Sequence, residues 1–360
     1  MEDIFFELIQ VALGTRECLS RVPNEQEWKT LYAWCQKQSI SGIVFHALDS
    51  LSTYGQKPPL PILYEWIGCA QTIEVRNRSI NKTCVEICQE FHDDGLETCV
   101  LKGQGNAVMY PKPLLRTPGD IDVWVKPEVR GKKLEVRDII NYVKKRNPEG
   151  RVLYHHVDMG YFKDVEVEVH YRPTFMFNLM HNRRLQKYYA THVSPIEVEL
   201  PEEAGCISVP NWEFNIVFQL SHVYNHLLHE GIGLRQVVDY YYLLRSDGRS
   251  MMDDVSNILR YFGLDKIAGA MMWMLNEMLG LPEEYLIVPK DENRGRVLLA
   301  EIMKGGNFGH YDAENQKANN AIKKNLQRIK RDMRMMRYFP SECLWEPVFR
   351  VYHYFWRMAH

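Results

Sequence analysis

The sequence predicts an α+β fold, a small mixed β-sheet set between two helical regions. Two observations carry this. Apolar residues recur three and four apart through the first 95 residues and again after residue 206, as on one face of a helix. Between these regions the period shortens to two, the mark of strands with unlike faces. The chain therefore divides into an N-terminal helical region at 1–95, an α/β core at 96–205 and a C-terminal helical domain at 206–360.

Phe5, Leu8, Ile9 and Ala12 step at helical spacing, as do Leu31, Trp34, Cys35 and Gln38. GQKPPLP at 55–61 interrupts the pattern, and a second long helix is expected over 62–94. Asp94-Gly95 ends it, because glycine accepts the left-handed cap. Thr98-Cys99-Val100-Leu101 reads as a short buried strand stopping at Lys102-Gly103. Ile121, Val123 and Val125 then alternate with Asp120, Asp122 and Trp124 in a strand. A basic amphipathic helix is expected over 132–146, and two strands near 152–162 and 165–172 around the turn Lys163-Asp164. Asn211 is placed to cap a helix running through His229, with Glu213 in its first turn. Gly231 and Gly233 break it, and Leu234 to Leu244 begins the next of several helices. Residues 317–337 hold eight Lys/Arg and one acid, with Ile322, Leu326, Ile329, Met333 and Met336 as an apolar stripe. This reads as a basic amphipathic helix packed through its stripe, with binding of RNA, a phosphorylated acceptor or a membrane surface as the alternative. The aromatic tail (Tyr352, Tyr354, Phe355 and Trp356) reads as packing.

Composition is that of an ordinary globular protein: 46% apolar and 25% charged residues in a chain of 360. The formal net charge of −2 gives the molecule no bulk attraction for nucleic acid or an anionic membrane. MEDIFFELIQ carries acids where a secretory signal would carry Lys or Arg, and no stretch approaches the ~18 apolar residues of a membrane span. A cytoplasmic protein is expected. The eight cysteines form no CxxC pair and read as reduced thiols, although Cys84 and Cys88 lie one helical turn apart.

The chemistry is concentrated in LKGQGNAVMYPKPLLRTPGDIDVWV, 101–125. Residues two apart on a strand point to one face about 6–7 Å apart, so Asp120 and Asp122 project together. Two such carboxylates repel unless a cation lies between them, either Arg116 or bound Mg²⁺. DVEVEVHYRP, 164–173, puts Glu166, Glu168, His170 and Arg172 on one strand face. Beside the Asp strand, this would complete a hard-oxygen site for Mg²⁺ or Mn²⁺. The same alternation also fits an exposed strand face of mixed charge.

In that order, hydrophobic-Lys-Gly, Arg-x-x-x-Asp-h-Asp and h-Glu-h-His, the motifs resemble the uncharacterised nucleotidyltransferase family of the polymerase-β-like superfamily. HVYNHLLHEGIGLRQVVDYYYLL, 222–244, resembles that family's helical half. The resemblance spans roughly residues 75–250 and implies a mixed sheet with helices packed on one side. It matches Gly103 to the glycine that lets backbone amides approach a triphosphate, Asp120 and Asp122 to the metal-binding pair, and Glu168 rather than Glu166 to the third carboxylate. Gly103-Gln104 departs from the usual Gly-Ser or Gly-Gly, and the gap from Gly103 to Asp120 is longer than in many relatives. The implied activity is metal-dependent transfer of a nucleoside monophosphate from a nucleoside triphosphate to a hydroxyl acceptor that the sequence does not identify. In this scheme Asp120, Asp122 and Glu168 are metal ligands and catalytic groups, and Lys102 and Arg116 hold phosphates. Gln104 sits at the phosphate turn and His170 supports the carboxylates. Arg235 and Asp239 either face the nucleotide or acceptor or form an intrahelical ion pair. Two alternatives are carried: an inactive nucleotide-sensing or partner-binding protein on the same fold, and a zinc hydrolase using His222, His226 and His229 on one helical face.

Overall fold

The chain opens on α1 (Glu2–Leu13), α2 (Glu25–Lys37), α3 (Ser41–Phe45), α4 (Leu48–Thr53) and α5 (Leu60–Asp93). The structure is a computed structural model and describes residues 1–129, 132–246, 252–309 and 321–359. Asn24 and Glu27 close a capping box on α2. Proline sets the start of α5, and Gly95, at φ 78°, lets the chain turn away at its end. α5 buries Trp66, Ile73, Ile80, Cys84, Ile87 and Phe91 on one face, together with two asparagines. Asn77 Nδ2 donates to the carbonyls of Leu114 (2.6 Å) and Arg116 (2.8 Å), so this helix anchors the loop that leads into the site.

β1 (Thr98–Val100), the single turn α6 (Gln104–Ala107) and β2 (Ile121–Val125) follow. β3 (Glu128–Val129) and β4 (Lys132–Lys133) pair as a minimal ribbon before α7 (Val136–Arg146). The expected helix over 132–146 therefore begins later, because Glu135 and Asp138 form a capping box there. β5 (His156–Phe162) and β6 (Val165–His170) complete a sheet of order β1-β2-β6-β5. β2 is antiparallel to β1 and parallel to β6, and β5 is antiparallel to β6. The sheet is thus mixed, as expected. α8 (Leu179–Thr191) and the hairpin of β7 (Ile196–Leu200) with β8 (Gly205–Val209) carry no assignment from the sequence.

Helices then run to the end: α9 (Trp212–His229), α10 (Leu234–Arg245), α11 (Met252–Tyr261), α12 (Asp265–Trp273), α13 (Glu292–Gly305), α14 (Ala321–Met335) and α15 (Pro340–Ala359). Asn211 occupies the cap position of α9 without capping it, since its side chain accepts from Ser194 N at 3.4 Å. Of the basic segment 317–337, residues 317–320 lie outside the described residues. Of the predicted stripe, Met336 packs against the core while Ile329 is 49% and Met333 72% exposed; the side chains of Ile322 and Leu326 lie outside those described, and Met335 and Asp332 are buried. Arg331 donates to the carbonyl of His229 and Arg334 pairs with Glu301, so polar contacts set the rotation of α14. Trp356 of the aromatic tail is buried, but Tyr352, Tyr354 and Phe355 are exposed.

Buried apolar side chains form one cluster that runs through all three regions. All eight cysteines are unpaired thiols; Cys35, Cys84, Cys99 and Cys343 are buried and Cys206 is exposed. No described helix is long and apolar enough to cross a membrane.

Candidate active site

Strand register assembles the site. β2 and β6 run parallel with Asp122 opposite Glu168 and Trp124 opposite His170. On the far side of β6, Asp158 of β5 lies opposite Glu168 and His156 opposite His170. Because paired residues share a sheet face, two rows cross the strands: Asp122–Glu168–Asp158 and Trp124–His170–His156. Trp124 stacks on Phe214 of α9, with ring centroids 5.4 Å apart, so this helix covers the same face. Asp122 is consequently 2% exposed, while the Glu168 side chain stays 24% open.

A buried carboxylate needs a partner, and Asp122 has two. His170 Nε2 lies 2.9 Å from its Oδ1, and Lys102 Nζ, reaching back from the turn after β1, lies 3.2 Å from its Oδ2. Burial pushes the Asp122 carboxyl upward, but Lys102 and His170 outweigh it and hold the group below its ordinary value. Glu168 behaves alike: burial opposes its charge, and His170, His156 and Lys102 restore it. His170 Nε2 is also 3.4 Å from Glu168. Burial disfavours the imidazolium, yet hydrogen bonds to Asp122 and Glu168 raise His170 to about 9. Burial likewise acts against the Lys102 ammonium, and Asp120, Asp122 and Glu168 hold it above its ordinary value. At neutral pH Asp122 and Glu168 are thus balanced by two cations of the chain itself.

Beside this group a narrow cleft opens between the sheet and α9 and α10. Lys102, Gly103, Asp120, Arg116, Arg235 and His222 are among its lining residues. Gly103 sits at φ 62°, a conformation side chains resist, which lets the chain turn tightly from β1 into α6. Asp120 is half-buried on the cleft wall. It lies outside the groups of described residues whose donor atoms approach within 4.8 Å of one another, whereas Asp122, Glu168 and His170 form one such group.

Other predicted contacts are redirected. Arg116 does not neutralise the aspartate pair: its Nε and Nη2 donate to Oδ1 and Oδ2 of Asp239, each at 2.7 Å. Tyr110 adds a third hydrogen bond to Asp239 at 2.5 Å. Asp239 is therefore held across the cleft wall, and Arg235 Nη1 donates to the carbonyls of Thr117 (3.0 Å) and Pro118 (3.2 Å). Gln104 turns from the cleft to α5, where it donates to Asn81 and to Asn77. His222 lines the cleft with Nε2 3.5 Å from Lys102 Nζ, while His229 turns to Asn225, 3.2 Å away. None of the metal-competent groups among the described residues contains His222, His226 or His229. The rings of His222 and His226 pack 4.3 Å apart, but His229 turns away to Asn225 and Phe177, so the three do not converge on one point. Sequence reasoning missed His155, His156 and Asp158, whose signal was a His-His pair opening a strand antiparallel to the acidic one.

Residues 24–280 match the uncharacterised nucleotidyltransferase family. The chain belongs to that family. The match takes in the sheet, α9 and α10, and so the whole cleft wall of this nucleotidyltransferase family member. No curated protein matches the chain. The crystal structure of an antigenic nucleotidyltransferase-like protein from Paracoccidioides brasiliensis is similar at 10% identity and TM-score 0.32, over 61% of this chain and 96% of that one.

Proposed function

We propose that the protein is a metal-dependent nucleotidyltransferase, moving a nucleoside monophosphate from a nucleoside triphosphate to a hydroxyl acceptor. The observation that carries the reading is the register of β2 on β6, which sets Asp122 beside Glu168 next to a cleft containing Lys102 and Asp120. The donor set fits a hard divalent cation, Mg²⁺ or Mn²⁺: Asp122 and Glu168 supply carboxylate oxygens, and Asp120 lines the cleft that opens beside them. A cation bound there supplies charge neutralisation and activates a hydroxyl for attack on phosphorus.

The remaining work falls to the chain. Gly103 brings backbone to the cleft floor without a side chain in the way. Lys102 exchanges its contact with Asp122 for a phosphate oxygen as substrate enters, acting as a point charge on a flexible stem. Arg116 acts indirectly, since its pairing with Asp239 braces the wall on which Arg235 stands. Glu168, the more open of the two paired acids, is the group placed to take the acceptor's proton.

A second reading draws on the neutralisation of Asp122 by Lys102 and His170: a nucleotide sensor on the same fold has no need of a cation there. Triphosphates labelled at the α-phosphate separate the two when supplied with sugars, antibiotics, tRNA and protein as acceptors. Transfer with pyrophosphate release, dependent on metal and lost in Asp122→Asn, supports the enzyme. Triphosphate binding without transfer to any acceptor class supports the sensor.

A further inference from the structure

Four donor atoms crowd one corner of the sheet. His155 Nε2 lies 3.0 Å from His156 Nδ1, and His156 Nδ1 lies 3.3 Å from Glu168 Oε2. Glu168 Oε2 lies 3.4 Å from His170 Nε2. The three imidazoles bring their donor atoms within 4.8 Å of one another. Tetrahedral bonds of ~2.0–2.1 Å place ligand atoms roughly 3.3–3.4 Å apart along each edge, near the 3.0 Å between His155 and His156. Hydrogen bonding alone satisfies this corner poorly, because His155 Nδ1 is buried without a partner.

The surroundings supply an independent argument. A histidine ligand ordinarily donates its other ring N–H to a carboxylate or a backbone carbonyl. His156 Nε2 lies 3.2 Å from Asp158 Oδ1, and Arg151 holds Asp158 in turn at 2.8 Å. His170 Nδ1 lies 3.3 Å from the carbonyl of Arg172. The outer nitrogen of each ring thus faces an oxygen, leaving His156 Nδ1 and His170 Nε2 turned into this corner.

We propose that His155, His156 and His170 form a three-imidazole site for a transition-metal ion of the zinc class, tying the start of β5 to the end of β6. Imidazole nitrogens select such ions over Mg²⁺, so the site is chemically distinct from the hard-oxygen site of the proposed transfer reaction. Glu168 and His170 border both, and the imidazole site stands whether or not the chain transfers nucleotides.

The test is Co²⁺ titration of the full chain after chelator treatment, in a Cys206→Ser background that removes the exposed thiol. Intense visible absorption of tetrahedral Co²⁺, displaced by Zn²⁺, is expected at a single saturating site. His155→Asn, at a half-buried position outside the nucleotide cleft, weakens Co²⁺ binding by more than ~10-fold, the least effect expected even of a residue supporting a ligand. Asp120→Asn leaves it unchanged. His156→Gln repeats the loss, with circular dichroism to verify folding. The proposal is overturned if the Cys206→Ser chain develops no tetrahedral Co²⁺ spectrum, or if His155→Asn retains full affinity. Since no nucleotide is present, neither result bears on the transfer reading.

Discussion

Replacing Asp239 by leucine leaves the Arg116 guanidinium buried without its carboxylate. The two side chains are 4% and 5% exposed and share two hydrogen bonds of 2.7 Å, so water cannot take over the vacated contacts. Breaking a buried pair from one side typically costs ~3–5 kcal/mol, because the remaining charge keeps its desolvation penalty. Tyr110 also loses its acceptor, an added cost of about 1 kcal/mol or more. At ~2 °C per kcal/mol for a chain of this size, the midpoint of thermal unfolding should fall by about 8–12 °C. The double variant Arg116→Met with Asp239→Leu removes both charges and should recover at least half of that loss. Differential scanning fluorimetry of the two single variants and the double one gives the answer as a cycle. A drop under ~2 °C for Asp239→Leu, or a double variant no better than the sum of the singles, would refute the reasoning.

Three further outcomes are expected. His170 is raised from its ordinary 6.5 to about 9, so its stabilisation is complete below pH 6.5 and lost as pH rises through 9. That contribution is on the order of 3 kcal/mol, and urea midpoints followed across this window should fall more steeply in the wild type than in His170→Asn. Gly103→Ala should cost ~1–3 kcal/mol from backbone strain. Its new Cβ would meet only Asp120 O, at an ordinary 3.6 Å, so denaturant midpoints report conformation rather than collision. Native Cys206 should react promptly with a thiol reagent, while burial pushes the Cys35 and Cys99 thiols up and delays their reaction until the chain unfolds.

Local periodicity made much of the sheet legible. Alternation around Ile121 and Val167 located β2 and β6 and put Asp122 and Glu168 on comparable faces. What it left out depends on pairing between distant residues. Lys102 neutralises Asp122 because Val100 pairs with Val123, bringing the turn after β1 over the carboxylate. From sequence, the acids were expected to need Arg116 or bound Mg²⁺ between them; the fold sets Lys102 and His170 beside Asp122. Arg116 finds Asp239 across 123 positions, a partner no local window reveals. α8 escaped because LMHNRRLQKYYAT spreads few apolar residues among many polar ones. Ile329 and Met333 of the α14 stripe stay exposed while Asp332 is buried and Arg331 contacts His229, although Met336 packs as expected.

The central claim is that the carboxylates and the cleft bind a metal–triphosphate complex together. Thermal shift with each of the four nucleoside triphosphates, with and without Mg²⁺, tests it on wild type and on Asp120→Asn, whose half-buried position spares the core. The account predicts stabilisation by at least one triphosphate that requires Mg²⁺, nearing ~2.7 kcal/mol at a hundredfold excess over Kd, and that Asp120→Asn loses. Absence of any Mg²⁺-dependent shift, or an equal shift in the variant, would contradict it.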